Sequence, residues 1–325
     1  MYKTIRNLTR VVAACVVAVT TLSAQDLSAQ RGESQNLGGL FGEKLDHGGL
    51  VINPTPQSIK MLRAMPIDVA GGVTLTGKAQ EFASDIDFLT LNAAAATPLS
   101  VEYGAELLSA EEMTLKSGAY TLAIEANGIT IKAYDKLGVF YAIQTLRQIF
   151  ESPISAEGKL PTLSIMDWPD LQYRGVVEGF YGTPWSHEVR LSLIDTYGRY
   201  KMNYYIYGPK DDPYHSSPYW REEYPEAEAQ QIRELVEACN RNRVNFVWAV
   251  HPGKDIKWEE SDIQNLLRKF EAMYQLGVRA FAVHFDDIEG NGTNPYYQTE
   301  LMNILNEDFV KVKGDVAPLI VCPTE

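Results

Sequence analysis

From residue 171 onward, apolar runs and amphipathic stretches alternate along the chain. Short runs rich in β-branched and aromatic residues predict strands, and stretches with apolar residues on one helical face predict helices between them. The predicted strands cover residues 173–178, 202–207, 245–250, 279–285 and 319–322, and the predicted helices cover residues 187–200, 227–241, 261–276 and 297–313. Strands that alternate with helices in this way require a parallel sheet.

The segment before residue 171 has a different pattern. It contains strand-like runs at residues 73–76, 120–125 and 129–133, and the dipeptide Asn127-Gly128, which is typical of hairpin turns, lies between the last two. Residues 136–150 have apolar side chains at helical spacing and predict an amphipathic helix. We therefore expect a small N-terminal α/β domain, in which we find no candidate catalytic residue.

Polar, aromatic and glycine residues concentrate after the predicted strands of the second region. These loops have the sequences EGFYGTPWSHE, YGPKDDPYH, HPGKDIKW and DDIEG, whereas the loops at the opposite strand ends are short. Such an asymmetry is typical of a (β/α)8 (TIM) barrel, whose active face lies at the carboxyl ends of the strands. An open doubly wound sheet is the alternative, but no glycine-rich phosphate turn follows the first strand.

The number of strand–helix units is too small for a closed barrel. The predicted elements make about half of a (β/α)8 barrel, and a half-closed barrel leaves a hydrophobic edge. We therefore expect residues 169–325 to be the N-terminal part of an incomplete catalytic barrel, and the sequence to be a fragment of a longer protein. Residues 45–168 form the predicted N-terminal α/β domain.

The N-terminus has the pattern of an export signal. Lys3, Arg6 and Arg10 precede an apolar stretch at residues 11–22, and small residues suited to cleavage follow. This stretch is too short to span a bilayer, so we expect no membrane span. The pattern predicts a signal peptide at residues 1–24, a linker at 25–44, and a protein that is exported to the periplasm or secreted.

Composition narrows the classes of partner and cofactor. The chain has 325 residues and a formal net charge of −13, which opposes binding to nucleic acid and to anionic membranes. Cys239 and Cys322 are expected to be buried, unpaired thiols. No Cys or His spacing suggests a metal site, and we interpret His251 and His284 as hydrogen-bonded structural residues. The oligomeric state is not predicted.

The run at residues 281–290, FAVHFDDIEG, contains the strongest candidate for catalysis. Its strand pattern ends in two adjacent carboxylates, Asp286 and Asp287. Neighbouring side chains on a strand point to opposite faces, so the two acids can share a site only where the strand becomes a loop. Paired acids at a strand end also cap helices or lie in water, and this alternative stays open. In a shared site, mutual repulsion is expected to raise one pKa.

Adjacent acids suggest a particular kind of glycoside hydrolysis. Glycosidases usually place two acids on opposite sides of the scissile bond, about 5–9.5 Å apart. Two acids at one strand end approach a sugar from the same side and leave no protein nucleophile on the far face. A 2-acetamido sugar supplies an internal nucleophile, since its carbonyl oxygen reaches the anomeric carbon. One acid could then orient the acetamido group while the other protonates the leaving oxygen.

Several long motifs resemble family 84 of the glycoside hydrolases, the β-N-acetylglucosaminidases that include the O-GlcNAcases. The matching segments are YRGVVEGFYGTPW (173–185), YGPKDDPYH (207–215), VWAVHPG (247–253), HFDDIEG (284–290) and CPTE (322–325). The order of the motifs and their length argue against chance similarity. The resemblance to the bacterial two-domain members is close, and it covers about residue 50 to residue 325.

The resemblance implies a retaining exo-β-N-acetylglucosaminidase that acts on β-GlcNAc-bearing glycans or glycoproteins through an oxazoline, with no metal and no cofactor. By motif position, Asp286 would orient the acetamido nitrogen and Asp287 would be the general acid and base. Gly179 would offer its carbonyl to a sugar hydroxyl, Lys210 would hydrogen-bond the substrate, and Tyr181 would line the acetamido side. Relatives have further pocket residues after the CPTE run, so we expect activity of the longer parent protein.

Two other functions remain open at this point. A family 20-type β-hexosaminidase shares the small domain and the acetamido nucleophile but uses an Asp-Glu pair, so Asp287 in the second position opposes it. The other alternative is a non-catalytic GlcNAc-binding remnant. The intact acid pair opposes this alternative, and the expected truncation favours it. Glu178 is interpreted as a member of a fixed hydrogen-bond network, and Asp211 and Asp212 as residues that shape their turn.

Overall fold

The computed structural model of the protein describes residues 49–210 and 212–324. The predicted signal peptide (residues 1–24) and linker (25–44) lie outside these ranges. The strands are β1 (Ser58–Met61), β2 (Ile67–Asp68), β3 (Thr74–Gly77), β4 (Pro98–Tyr103), β5 (Tyr120–Glu125), β6 (Gly128–Ala133), β7 (Lys159–Leu160), β8 (Leu163–Asp167), β9 (Gly175–Glu178), β10 (Tyr204–Tyr207), β11 (Asn245–Val250), β12 (Ala280–His284) and β13 (Ile320–Cys322). The α-helices are α1 (Lys136–Glu151), α2 (His187–Arg199), α3 (Glu226–Arg241), α4 (Glu260–Gln275), α5 (Pro295–Leu305) and α6 (Lys311–Lys313).

The first part of the described chain forms a six-stranded mixed sheet. Its strand order is β1-β8-β5-β6-β4-β3, in which β5 pairs antiparallel with β6 and β8, and β4 pairs parallel with β6. Helix α1 packs on this sheet through buried apolar residues such as Val139, Ile143 and Leu146. Asp135 begins the helix by accepting a hydrogen bond from the Gly138 N–H. The predicted small α/β domain of strands and a helix is confirmed.

The predicted hairpin is present, but its turn lies one residue earlier than expected. Glu125 pairs with Gly128, so Ala126 and Asn127 form the turn and Gly128 begins β6. A Cβ at Gly128 would lie 2.5 Å from the Pro98 carbonyl oxygen, and the residue has φ +130°. The glycine is therefore required by the close approach of β4 to β6. Strands β1, β2, β4, β7 and β8 were not predicted; β2 and β7 have only two residues each, and polar residues interrupt the apolar pattern of the others.

The second part forms a five-stranded sheet in which neighbouring strands are parallel. The strand order is β13-β12-β11-β10-β9, so each strand lies beside the next one in sequence. Helices α2, α3 and α4 connect successive strands, and α5 precedes β13. A sequential parallel sheet with helices between its strands is the arrangement of part of a (β/α) barrel. The predicted fold class, a small α/β domain followed by the first part of a barrel, is confirmed.

The two faces of this sheet carry side chains of different size. Large residues such as Trp248, Phe270 and Phe281 form the core between the sheet and the helices. The opposite face carries smaller residues, among them Ala249 and Ala282. The strand period of two residues produces this separation.

The predicted helix at residues 297–313 starts at Pro295 and contains a π-helical segment, Asn306–Val310.

A buried polar network joins the six-stranded sheet to the loop before β10. The Lys201 ammonium donates to the Asp167 carboxylate and to the Tyr120 hydroxyl, at 2.9 Å each. Tyr120 in turn donates to Asp167, at 2.9 Å. A buried charge is stable only when it is paired and hydrogen-bonded, so this network links the two sheets at a defined position.

Among the described residues, no helix has the length and apolar character needed to cross a bilayer.

Candidate active site

Four of the five predicted site residues lie together at the carboxyl ends of the parallel strands. Asp286 and Asp287 follow β12, Lys210 lies in the loop after β10, and Tyr181 lies in the loop after β9. Lys210 Nζ is 2.6 Å from Asp286 Oδ2 and 4.0 Å from Asp287 Oδ2. The Tyr181 hydroxyl donates to Asp287 Oδ2 at 3.2 Å. Both carboxylates therefore face the same ammonium group, on one side of the strand end.

Lys210 is a buried partner of the acid pair and not a solvated loop lysine. Its side chain is only 4% exposed. Burial of an ammonium is unfavourable unless an anion is close. The Asp286 carboxylate supplies this anion, and the ring of Tyr181 lies 5.6 Å from the ammonium nitrogen. Lys210 is therefore a direct partner of the acid pair.

The charge of Lys210 decides the ionisation of Asp286. Burial is the largest single influence and raises the pKa of Asp286, but the hydrogen bond and positive charge of Lys210, together with the nearby His251 and His284, hold this pKa below its ordinary value. The sequence analysis expected mutual repulsion to raise one pKa of the pair. Asp286 is not the acid whose pKa is raised, because the Lys210 ammonium lies 2.6 Å from its carboxylate. Asp286 is consequently a carboxylate at neutral pH and accepts hydrogen bonds only.

Asp287 has different surroundings from Asp286. Its side chain is 59% exposed, against 32% for Asp286. Its backbone has φ +54°, in the left-handed region that few residues other than glycine, asparagine and aspartate adopt. This conformation turns the chain at the end of β12, so that two consecutive side chains reach the same site. In a straight strand the two neighbouring side chains would point to opposite faces, and the left-handed turn brings them to the same side.

Gly179, the fifth predicted residue, lies in the loop after β9 beside the Lys210 loop. Two backbone hydrogen bonds flank it, from the Gly208 N–H to the Glu178 carbonyl at 3.1 Å and from the Lys210 N–H to the Phe180 carbonyl at 3.4 Å. A Cβ at Gly179 would meet only Val177, at 3.3 Å. The loop that contains Gly179 is therefore fixed against the loop that carries the lysine, and its backbone lies open on the other side.

Glu178 belongs to a buried network, as the sequence analysis interpreted it. Its carboxylate accepts two hydrogen bonds from the Arg190 Nε at 3.0 and 3.2 Å, one from Arg190 Nη2 at 2.7 Å, and one from the Tyr205 hydroxyl. The Trp185 N–H also donates to it, at 3.3 Å. These bonds satisfy the carboxylate from several directions and hold the loop after β9 in one conformation.

Three buried histidines lie beneath the acid pair, and the sequence analysis missed one of them. His215 packs against His251 and His284, with ring centroids 6.2 and 6.3 Å away, and its Nδ1 bonds to the Ala249 carbonyl. His251 bonds to the main-chain oxygen of Asp286 at 2.6 Å. The predicted hydrogen bond of His284 is not found among the described residues. His215 could have been found from its position after β10, in the same loop as Lys210.

Burial keeps these histidines uncharged. It lowers the pKa of His284 to about 4 and that of His215 to about 3, and it lowers the pKa of His251 as well. Lys210 is therefore the cation that acts on Asp286 at neutral pH, and His251 adds a hydrogen bond without adding charge. In the described ranges, no group of three or more His, Cys, Asp or Glu side chains is arranged to hold a metal ion.

The remaining predicted residues lie around this centre. Asp212 shapes its turn by accepting hydrogen bonds from the Tyr214 and His215 N–H groups, at 2.8 and 3.2 Å, while Asp211 lies outside the described residues. Cys239 is a buried free thiol, as predicted. Cys322 is also free but only half-buried, so the prediction of full burial is wrong, because it lies on the terminal strand of the described sheet.

This arrangement suits proton transfer at a sugar more than nucleophilic attack by the protein. Asp286 is ionised, bonded to Lys210 and partly buried, so its free lone pairs can accept an N–H group. Asp287 is exposed and lies beside it, where it can reach a leaving oxygen and later a water molecule.

Comparison with known proteins gives two matches that together cover most of the described chain. Residues 174–325 match the family model for beta-N-acetylglucosaminidase, and residues 50–168 match domain 2 of glycosyl hydrolase family 20. The first model covers the parallel sheet and the acid pair. The second covers the six-stranded sheet.

Curated relatives and solved structures agree with these models. The chain is 36% identical to the Rattus norvegicus Protein O-GlcNAcase over 158 residues, and 32% identical to the Vibrio harveyi N,N'-diacetylchitobiase over 156 residues; each match covers 46% of this chain and 17% of the relative. The structure of CpGH84B has 37% identity and a TM-score of 0.72, over 84% of this chain and 50% of that chain. The structure of CpGH84D has 30% identity and a TM-score of 0.68, over 83% and 49%. The chain therefore spans about half of these structures and a smaller part of the curated relatives.

Proposed function

We propose that this chain, which belongs to glycoside hydrolase family 84, hydrolyses terminal β-linked N-acetylglucosamine as a retaining exo-glycosidase. The observation that carries the proposal is the shared position of Asp286 and Asp287 at the end of β12, with Lys210 on the first acid. The relatives named O-GlcNAcase and diacetylchitobiase support the same class of reaction. The substrates are β-GlcNAc-bearing glycans or glycoproteins.

In the first step, the substrate supplies the nucleophile. Asp286 accepts the acetamido N–H, which increases electron density on the acetamido carbonyl oxygen and orients it. This oxygen attacks the anomeric carbon while the bond from that carbon to the leaving oxygen breaks, and Asp287 gives its proton to the leaving oxygen. The products are the free aglycone alcohol and an oxazolinium ion, which closes between the acetamido oxygen and the anomeric carbon and whose N–H stays hydrogen-bonded to the Asp286 carboxylate.

In the second step, Asp287 acts as a base. Its carboxylate takes a proton from a water molecule, whose oxygen attacks the anomeric carbon and breaks the oxazoline ring bond. Two successive inversions at that carbon give net retention of configuration. Asp287 ends the cycle protonated, as it began, and Asp286 remains an acceptor throughout.

The other predicted residues have binding roles in this proposal. Lys210 keeps Asp286 ionised and donates a further N–H to the substrate. The Tyr181 hydroxyl, now bonded to Asp287, turns toward the acetamido side when the sugar binds. The Gly179 carbonyl accepts a sugar hydroxyl at the open side of its loop. We further propose that the protein is exported, from the signal-like pattern of residues 1–24.

The two alternative functions are less well supported. A family 20-type hexosaminidase is suggested by the match at residues 50–168, but that match does not include the acid pair. A non-catalytic GlcNAc-binding remnant does not require the buried Lys210 that holds Asp286 ionised. The glycosidase proposal accounts for both acids and for the lysine.

Replacement of each acid in the complete protein tests the proposal. We expect Asp287→Ala to reduce hydrolysis of substrates with poor leaving groups by at least about 100-fold, because these need a proton donor, and to spare activated aryl glycosides. We expect Asp286→Ala to reduce hydrolysis of all substrates. Steady-state kinetics with aryl β-GlcNAc substrates of different leaving-group pKa measure both effects. Normal turnover by both variants would refute the proposal.

A further inference from the structure

His251 contacts the acid pair through the main chain. The residue directly follows β11, is 1% exposed, and its backbone N–H donates to the His215 carbonyl at 2.8 Å. Its Nε2 lies 2.6 Å from the Asp286 main-chain oxygen. A carbonyl oxygen only accepts, so Nε2 carries the ring proton and donates this hydrogen bond. Its Nδ1 is buried and has no hydrogen-bond partner among the described residues.

The carbonyl that His251 binds belongs to the peptide that joins Asp286 to Asp287. The φ angle of Asp287 describes rotation about the bond between this peptide and the Asp287 Cα, so the orientation of the peptide sets the value of φ. That value is +54°, which is unfavourable for most residues with a side chain. A hydrogen bond from a buried, rigid ring to the carbonyl resists rotation of the peptide out of this orientation.

The rest of the loop after β11 also packs against the loop after β12. A Cβ at Gly292 would lie 2.1 Å from the Gly253 carbonyl oxygen, and a Cβ at Gly253 would lie 2.6 Å from Ile288 Cδ1. The Trp258 indole N–H donates to the Asn291 carbonyl at 2.9 Å. These contacts hold the loop after β12 at residues that follow the acid pair. The hydrogen bond from His251 instead holds the peptide between the two acids.

Lys210 and His251 hydrogen-bond different groups of Asp286, although His251 Nε2 also lies 3.7 Å from the carboxylate oxygen Oδ1. The lysine binds the carboxylate, at 2.6 Å, and the histidine binds the main-chain oxygen, also at 2.6 Å. The lysine bond sets the charge and direction of one side chain. Only the histidine bond acts on the backbone that both acids share, so it influences the direction of both.

We propose that His251 is a positioning residue that holds the peptide between Asp286 and Asp287 and so directs both carboxylates toward one bound sugar. This inference rests on the proposed function. It assigns His251 no contact with substrate and no proton transfer. Its effect is to keep Asp287 in the left-handed conformation in which the general acid and the acetamido-orienting acid share a side.

Two substitutions separate the hydrogen bond from the volume of the ring. His251→Phe fills the same space without an N–H group, and His251→Gln places an amide N–H near the position of Nε2. Trp258→Phe is the matched control, because it removes an N–H that is donated to the same loop at Asn291. Thermal unfolding of the complete protein checks that each variant folds. Kinetics with aryl β-GlcNAc substrates of good and poor leaving groups give kcat and KM.

We expect His251→Phe to lower kcat by about 10- to 100-fold, with KM changed by less than about threefold, because a displaced catalytic group costs about this much. The loss should be larger for poor leaving groups, which depend on Asp287. His251→Gln should recover most of the loss, and Trp258→Phe should leave the leaving-group dependence unchanged. Equal losses on all substrates without rescue by Gln, or wild-type kinetics in a folded His251→Phe variant, would overturn the inference.

Failure of the proposed function would give a different result, since the unchanged protein would then hydrolyse neither substrate. Crystal structures of the two variants would decide the inference in that case. The inference requires that Asp287 leaves the left-handed region in His251→Phe and remains in that region in His251→Gln. A left-handed Asp287 in both variants would contradict it.

Discussion

At the level of single residues, the charge state of Asp286 is the property on which the chemistry depends. Burial raises its pKa, but Lys210, together with the nearby His251 and His284, holds the pKa below its ordinary value. The position of the acid pair could be predicted from sequence, because two carboxylates follow a strand pattern. The lowered pKa could not, because Lys210 is 76 positions away in the chain and only the fold brings it to Asp286.

Removal of the lysine charge should change the pH dependence of the reaction. In Lys210→Met, the lysine no longer offsets the effect of burial on Asp286, so the pKa of Asp286 rises. As the pH falls, the required carboxylate is then protonated at a higher pH than in the unchanged protein. We expect the acid limb of kcat/KM against pH to move upward by at least about one pH unit. Lys210→Arg keeps the charge and should move the limb much less. The measurement is kcat/KM for an activated aryl substrate between about pH 4 and pH 7.

The limb position separates this effect from a loss of substrate contacts. A weaker interaction between Lys210 and the sugar lowers kcat/KM at every pH without moving the limb. An unchanged limb in Lys210→Met would show that Asp286 is not the group whose ionisation limits the reaction.

At the level of elements, strands and helices were predictable where periodicity is strong, and turns were less so. The parallel strands β9 to β12 were predicted close to their observed bounds, because apolar runs alternate with amphipathic helices. The hairpin turn was placed one residue too late, because the role of Gly128 depends on its contact with Pro98 of a strand that was not predicted. The hydrogen bond from His251 also joins two loops whose contact has no sequence signal.

Strand β9 depends on a glycine for its approach to β10. A Cβ at Gly175 would lie 1.8 Å from the Tyr204 carbonyl oxygen, so the two strands cannot keep their pairing with any larger residue. We expect Gly175→Ala to lower the free energy of unfolding by about 1–3 kcal/mol, as overpacking typically does. Urea unfolding measures the change.

Gly71→Ala is the control for this substitution, since a Cβ at Gly71 meets nothing within 4 Å. It should change the free energy of unfolding by less than about 0.5 kcal/mol. Equal stability of the two variants would show that β9 and β10 do not approach as closely as described.

At the level of the whole molecule, the two sheets are linked by polar contacts between residues that are distant in sequence. Lys201 lies 34 positions from Asp167 and 81 positions from Tyr120. The change of pattern near residue 171 predicted two regions with different sheets. The link between them was not predictable, because a lysine in a short loop has the same local sequence whether it is solvated or buried.

Lys201→Ala should be strongly destabilising, because it leaves the buried Asp167 carboxylate without its cation. Loss of one partner of a buried pair costs about 3–5 kcal/mol in the free energy of unfolding. Arg199→Ala breaks an ion pair with Glu151 at 2.8 Å, in which both side chains are close to half exposed. That loss should be below about 1 kcal/mol. Chemical denaturation compares the two, and similar small losses would show that Lys201 is solvated.

The claim that the substrate supplies its own nucleophile has the most direct test. Aryl β-GlcNAc substrates whose acetamido methyl group carries increasing numbers of fluorine atoms have progressively weaker carbonyl nucleophiles. With the complete protein, we expect kcat/KM to fall steeply along this series, and an aryl β-glucoside without the acetamido group to resist cleavage. Equal rates along the series, or a covalent glycosyl ester on the protein detected by mass spectrometry, would contradict the account.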